Sequence, residues 1–221
     1  MDRAASVLIT GTSSGIGLAS VARFHAAGWR VIATVRHQAD RDMLLARFPG
    51  VEVLTLNLVD GDAVTRVIGD AICANGRVDV LVNNAGASII GAAEELSIDD
   101  FRAQLELNLI AAIRLTQIAL PYMRAKGAGR IVQVSSGFGR IALPMFSAYC
   151  ASKFALEGFS EALAHEVAPH GVQVSIIEPG AVRTRFDANR REGAQYHADG
   201  PYRALYTAMR ERLSRSHERG P

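Results

Sequence analysis

Tyr149 and Lys153 stand four residues apart and together offer a tunable acid/base. On a helix that spacing puts both side chains on one face, so phenol and ammonium are neighbours. A free phenol ionises only near pH ~10 and is a poor base at neutral pH. A positive charge beside it favours the phenolate, which is the tuning that proton transfer near neutral pH requires. The pair alone is a weak signal, because its spacing arises often by chance. Ser136 strengthens it: thirteen residues before Tyr149, it closes an apolar run and offers a hydroxyl donor to a substrate oxygen. Asn83-Asn84-Ala85-Gly86 closes another such run, and Asn108 interrupts an otherwise apolar helical stretch. Standing alone, Asn108 reads as a buried amide that satisfies backbone groups.

A second chemistry lies in the run Thr10-Gly11-Thr12-Ser13-Ser14-Gly15-Ile16-Gly17. Its glycines permit a tight turn and close approach of backbone to a ligand. Placed between a strand and a helix, the turn offers free N–H groups and the positive end of a helix dipole, an anion site suited to a pyrophosphate. The Lys-Ser/Thr that ends an ATP-type phosphate loop is missing. Beyond the next strand candidate stands Arg36, where an acidic residue would hold the ribose hydroxyls of NAD; a guanidinium fork there suits the 2′-phosphate of NADP.

Such groups need a scaffold that brings strand ends together. Short β-rich runs, Val7–Thr10, Val31–Val35, Val51–Leu56, Val80–Asn83, Ile131–Val134 and Val172–Ile177, alternate with helical stretches. The helical stretches are Gly17–Ala27, Ala39–Phe48, Asp62–Asn75, Ile98–Lys126 and Ser147–Pro169. Most strand runs are continuously apolar, as in strands covered on both faces. The alternation predicts a single α/β domain: a doubly wound, mostly parallel, Rossmann-like sheet with helices on both faces. Ser136 and Asn83 then fall at the carboxyl edge, where open α/β sheets bind ligands. Residues 1–185 are expected to form the dinucleotide-binding and catalytic core. Residues 186–221, polar, Arg-rich and without a good strand, are expected to form a substrate lid and a helix around Tyr202–Arg215.

Bulk properties agree. A length of 221 residues suits one domain, and 49% apolar residues fill a sizeable core. A net charge of +2 with scattered cations argues against nucleic acid as a partner. Cys73 and Cys150 lack ligand spacing, so no metal site is predicted, and they read as reduced thiols. No secretory leader and no membrane span is legible, which leads to the expectation of a cytoplasmic protein.

Taken together, in this order and spacing, the motifs resemble those of the short-chain dehydrogenase/reductase family over roughly Ala4 to Phe186. The matching residues are Thr10-Gly11-x-x-x-Gly15-x-Gly17, Asn83 to Gly86, Asn108, Ser136, Tyr149-x-x-x-Lys153 and Pro179-Gly180-Ala181-Val182-Arg183-Thr184. The resemblance implies an enzyme whose glycine turn, with Ser13, Ser14 and Ile16, places the cofactor pyrophosphate. It assigns Asn84, Ala85 and Gly86 to the adenosine side and to support of the sheet. Ser136 would orient the substrate oxygen and Tyr149 transfer the proton. Lys153 would hold the nicotinamide ribose and make the phenol more acidic, and Asn108 would hold a water in a proton relay. Thr184 would meet the nicotinamide carboxamide, beside Pro179, Gly180 and Val182, and Arg36 matches NADP-preferring members.

The stretch from Tyr149 to Gly158 looks like members that act on hydroxysteroids, retinoids and other lipophilic alcohols. Two departures stand out. Asn57-Leu58 replaces the usual Asp-Val near the adenine, and a further helix and seventh strand, which complete the sheet and much of the oligomer interface, are not found before Pro221. Family members imply a homo-oligomer, dimer or tetramer. The expected function is NADP(H)-dependent hydride transfer between nicotinamide and a ketone or secondary alcohol. Phe138, Ile141, Leu143, Pro144, Met145, Phe146 and Phe186 are candidates for an apolar pocket wall. The rival readings are a non-catalytic NADP(H)-binding regulator on the same scaffold and an epimerase or dehydratase.

Overall fold

The computed structural model describes residues 4–180, 182, 186, 190–195, 197 and 199–219, with side chains described as far as residue 211. Strands β1 (Ser6–Ile9), β2 (Arg30–Val35), β3 (Glu52–Thr55), β4 (Val80–Asn83), β5 (Ile89–Ile90), β6 (Gly129–Val134), β7 (Val172–Ile177) and β8 (Arg191–Glu192) alternate with seven helices among the described residues. These are α1 (Gly15–Ala26), α2 (Gln38–Arg47), α3 (Gly61–Asn75), α4 (Ile98–Leu105), α5 (Ala111–Lys126), α6 (Ser147–Val167) and α7 (Arg203–Arg219). Six strands form one sheet in the order β3-β2-β1-β4-β6-β7, every pair parallel. The predicted doubly wound α/β sheet is therefore the fold.

Burial follows from this layering. β1 and β4 are buried at every position, because helices cover both faces of the sheet. On one face Leu8, Ile32, Leu81 and Ile131 pack against α3, α5 and α6 through Ile68, Leu115 and Leu163. On the other, Val7, Ile9, Val31 and Val82 meet Val21 of α1 and Leu44 of α2. Helix ends are written in the sequence. Asp60 caps α3 by accepting from Ala63 N at 3.0 Å, and Gly76 ends that helix at a φ of 67°. Ser97 and Asp100 form a capping box at the start of α4.

Two expectations need correction. The single helix expected over Ile98–Lys126 is divided by a π-helical turn, Glu106–Ile110, between α4 and α5. Its buried residues Asp100, Gln104, Asn108, Ala112 and Thr116 recur every fourth position. A stripe with that period drifts about 40° per step around a helix of 3.6 residues per turn. The wider turn takes up the drift and keeps Asn108 pointed inward. The region after Gly180 also contains a strand. β8 pairs in parallel with β5, Ile89 opposite Arg191 and Ile90 opposite Glu192. Two residues are too few for a legible strand pattern.

Candidate active site

The glycine turn is built around a hydroxyl and an amide. Thr10 Oγ1 accepts from the backbone N–H groups of Asn84 and Ala85, both at 3.0 Å. Asn84 Nδ2 donates to the carbonyls of Thr10, at 2.8 Å, and Gly11, at 3.1 Å. Asn84 thus ties the end of β4 to the turn after β1. Gly11 and Gly15 have φ of 66° and 55°, which favours glycine. Gly17 faces the turn so closely that a Cβ there would lie 2.2 Å from Gly11 O and 2.6 Å from Asn84 Nδ2. Ser14, the N-cap of α1, makes no side-chain cap bond, and no acidic residue stands in the first turn. The positive end of α1 is left for an anion, so the cradle fits a pyrophosphate. Thr10 was not among the predicted site residues; its place at the end of β1 was the available signal.

Further along the carboxyl edge, Arg36 follows β2 and is exposed, its Nε donating to His37 Nε2 at 3.0 Å. Asn57 is exposed and its Oδ1 accepts from Val59 N at 3.4 Å. The Leu58 side chain belongs to the core, so only its backbone can face a cofactor. Gly86 is kept small by its neighbours: a Cβ would stand 3.2 Å from Asn108 Oδ1 and 3.8 Å from Lys153 Nζ.

Tyr149 lies in the first turn of α6 and Lys153 in the second, both buried. Lys153 Nζ is 5.8 Å from the centre of the Tyr149 ring. It donates to Val134 O, the last residue of β6, at 2.9 Å. Burial works against the ammonium and lowers its pKa from 10.5 to about 8, while the nearby Glu157 carboxylate acts in the opposite direction. Ser136 follows β6 by two residues. Its Oγ accepts from Phe138 N at 3.2 Å, which leaves the hydroxyl hydrogen for another acceptor. Ser136, Tyr149 and Lys153 therefore converge beyond the tip of β6.

The Asn108 side chain is more committed than a water-holding role suggests. Its Oδ1 accepts from Ala87 N at 3.0 Å, and its Nδ2 donates to Ala87 O and to Ser152 Oγ, each at 3.0 Å. Both amide hydrogens are spent, so a relay water there would use the Asn108 carbonyl or the remaining lone pair of Oδ1. Ser152 in turn donates to Tyr149 O at 2.7 Å. Thr184 lies outside the described residues. Pro179 O accepts from Gly137 N at 3.1 Å, which holds the chain after β7 against the turn that follows Ser136. Gly180 and Val182 continue from it at the same edge.

An aromatic box surrounds the phenol. The Tyr149 ring meets Phe138, Phe146 and Phe186 at centroid distances of 6.1, 6.2 and 5.9 Å. Met145 and Leu143 join this cluster, as do Tyr206 and Met209 of α7, which lies over it. Ile141 and Pro144, the other two candidates for the pocket wall, are exposed. Met145 sits at a φ of 71°, unusual for a residue with a side chain and costing on the order of 1 kcal/mol. Its carbonyl accepts from Gly91 N at 2.9 Å, which fixes the approach to α6. The far side of the box is latched by a buried carboxylate. Asp100 accepts from Arg191 Nη2 at 2.7 Å and from Ala194 N at 3.0 Å, and these bonds with those from Ser97 hold its pKa down at about 2 despite burial.

Among the described residues there is no His/Cys/Asp/Glu group suited to a metal, and no helix long and apolar enough to cross a membrane. The family model described as short chain dehydrogenase matches residues 5–195. Human 17-beta-hydroxysteroid dehydrogenase type 1 is 40% identical over 190 residues, 81% of this chain, and the match spans 57% of that relative's length. The crystal structure of a short-chain dehydrogenase from Streptomyces avermitilis superposes with a TM-score of 0.85 at 40% identity. That match covers 96% of this chain and 79% of the other. ElxO with NADP bound superposes at 0.79 with 28% identity, over 84% and 79% of the two chains. A match that runs from the glycine turn past the Tyr149 helix and into the latched segment leaves one assignment: the chain belongs to the short-chain dehydrogenase/reductase family of oxidoreductases.

Proposed function

We propose that this chain transfers a hydride between NADP(H) and a ketone or secondary alcohol that is apolar beyond its reacting carbon. The carrying observation is the convergence of Ser136, Tyr149 and Lys153 beyond one strand tip, with Lys153 Nζ fixed on Val134 O. NADP is supported by Arg36 at the end of β2, where no carboxylate stands to hold a ribose diol, and by the related ElxO having been solved with NADP bound. An apolar substrate is supported by the Phe138, Phe146 and Phe186 box and by the hydroxysteroid-named relative.

When bound, the nicotinamide supplies or accepts the hydride. The chain's residues do the rest. Gly11 to Gly17, with Ser13, Ser14 and Ile16, hold the pyrophosphate at the start of α1. Arg36 holds the 2′-phosphate, and Asn57, Leu58, Asn84, Ala85 and Gly86 border the adenosine. Pro179, Gly180, Val182 and Thr184 border the nicotinamide. Ser136 donates its free hydroxyl hydrogen to the substrate oxygen. Tyr149 gives that oxygen a proton during reduction and removes one, as phenolate, during oxidation. Lys153 holds the ribose and keeps a positive charge beside the phenol. Asn108 positions α6 through Ser152.

The test is absorbance at the reduced-nicotinamide band with NADPH or NADH and a panel of ketones, aldehydes and alcohols, for the wild-type chain and Tyr149→Phe. Turnover of apolar ketones is expected, falling by about 10²–10⁴ in the variant. Cofactor binding without turnover of any substrate would overturn the reading in favour of an NADP(H)-binding regulator.

A further inference from the structure

One turn beyond Lys153 on α6, Glu157 is only 3% exposed. A spacing of four puts it on the face that carries Lys153. Buried carboxylates are usually held by several donors. Here neither oxygen accepts a hydrogen bond among the described residues. What faces the carboxylate is charge. Arg140 Nη2 lies 3.3 Å from Oε2, and Lys153 stands one turn back on the same face of α6. Gly139 makes the space. A Cβ at Gly139 would come within 2.8 Å of Glu157 Oε1 and 2.7 Å of Ser135 Oγ, itself buried and without a hydrogen-bond partner among the described residues. Arg140 is held from outside by Glu161 at 3.1 Å and Glu178 at 2.9 Å.

We propose that Glu157 is a positioning residue for the reaction: its charge, anchored by Arg140, keeps Lys153 an ammonium in the closed interior beside Tyr149. The consequence for catalysis rests on the oxidoreductase reading above, whereas the charge coupling does not. Burial alone drives Lys153 toward the neutral amine, which could neither favour the phenolate nor hold a ribose by charge. The field of Glu157 opposes that drive. Among the described residues, the charged and titratable groups around the pair are Tyr149, Glu157 and Glu161 on α6, Arg140 from the turn after β6, and Glu178 beyond β7. Asn108 and Gly86, which also approach, are uncharged. The signs are therefore opposite for the two partners. Removing the negative charge of Glu157 lowers the titration midpoint of Lys153, and removing the positive charge of Arg140 raises it.

The sequence contains only two lysines, Lys126 and Lys153, so selective ¹³Cε-lysine labelling gives a two-signal spectrum. Lys126, paired with Asp79 on the far side of the molecule, is the internal reference. In Glu157→Gln the Lys153 midpoint is expected to fall by about one pH unit, a tenfold change in its ionisation constant. Lys126 stays put, and Glu161→Gln leaves Lys153 within a few tenths of a pH unit, roughly the scale of an exposed ion pair. In Arg140→Gln the Lys153 midpoint rises. An unchanged Lys153 midpoint in Glu157→Gln overturns the proposal. If that variant does not fold, an unchanged or lowered midpoint in Arg140→Gln overturns it instead. The alkaline limb of turnover should move with the Lys153 midpoint. Absence of any turnover in the wild-type chain would sink the oxidoreductase reading and leave the lysine titration to decide on its own.

Discussion

Asn108 Nδ2 donates to Ser152 Oγ at 3.0 Å, and Ser152 donates to Tyr149 O at 2.7 Å, so the π-helical turn is stitched to the first turns of the helix that carries the phenol. The same amide closes both backbone groups of Ala87. Replacing Asn108 by Ala leaves the N–H and C=O of Ala87 without these partners. We expect a loss of roughly 1–3 kcal/mol in urea unfolding. We also expect a fall in kcat larger than the change in KM, because α6 loses its tie to the π-helical turn. An unfolding midpoint equal to wild type would contradict this role for the amide.

Lys153 should leave a signature on stability. Its folded pKa of about 8 lies below the unfolded value of 10.5. The unfolded chain therefore binds more protons between those values, and stability rises as pH climbs through that window. At about 1.4 kcal/mol per pH unit the gain is roughly 3 kcal/mol. It should appear in urea unfolding followed from pH 7 upward as a slope that Lys153→Met abolishes. Parallel curves for the two proteins would show that the ammonium carries no burial cost.

Cofactor choice should turn on Arg36. Its guanidinium is exposed after β2, and its Nε donates to the neighbouring His37 imidazole. Charge-assisted bonds to a phosphate are worth about 1.5–3 kcal/mol. Arg36→Ala should therefore weaken NADPH about ten- to a hundredfold and leave NADH nearly unaffected, as measured by titration of reduced-nicotinamide fluorescence. Equal losses for both dinucleotides would mean that Arg36 does not contact the 2′-phosphate.

The latch between α4 and β8 is also open to test. Asp100→Asn removes the ion pair to Arg191 and places an N–H₂ group among donors. Trypsin should then cleave at Arg190 or Arg191 well before the sheet unfolds, at a rate several times that of wild type. In the wild-type chain the Asp100 pKa of about 2, against 3.8 when unfolded, means that this stabilisation is complete above the unfolded value and fades as pH falls toward 2. A cleavage rate unchanged by the substitution would argue that β8 is held by other contacts.

The sheet was legible because its signal is local and repeated. Val7 to Ile9, Val31 to Val35 and Val80 to Val82 are apolar runs bounded by turn residues, and parallel strands buried on both sides leave that trace. The meeting of Tyr149 with Lys153 was legible for a similar reason, since four residues on a helix fix the neighbourhood. What escaped depends on distant partners. β5 and β8 are two residues each and pair across about a hundred residues of sequence, with Asp100 on Arg191 and Ala194 among the contacts that bring them together. The π-helical turn answers to Ala87 and Ser152, which lie 21 and 44 residues away from Asn108.

The π-helical turn makes the long α4–α5 rod a device with a fixed phase. One residue more per turn rotates everything beyond it by about 100° relative to an uninterrupted helix. Excision of a single residue from Glu106–Ile110 would thus act far from the gap. Leu115, Ala119 and Met123 would swing off the sheet, or else Asp100 and Gln104 would swing away from the latch and from Ile89. Length in this stretch is therefore under tighter constraint than residue identity, and an alignment that places a gap there breaks either the hydrophobic seam or the closure over the phenol.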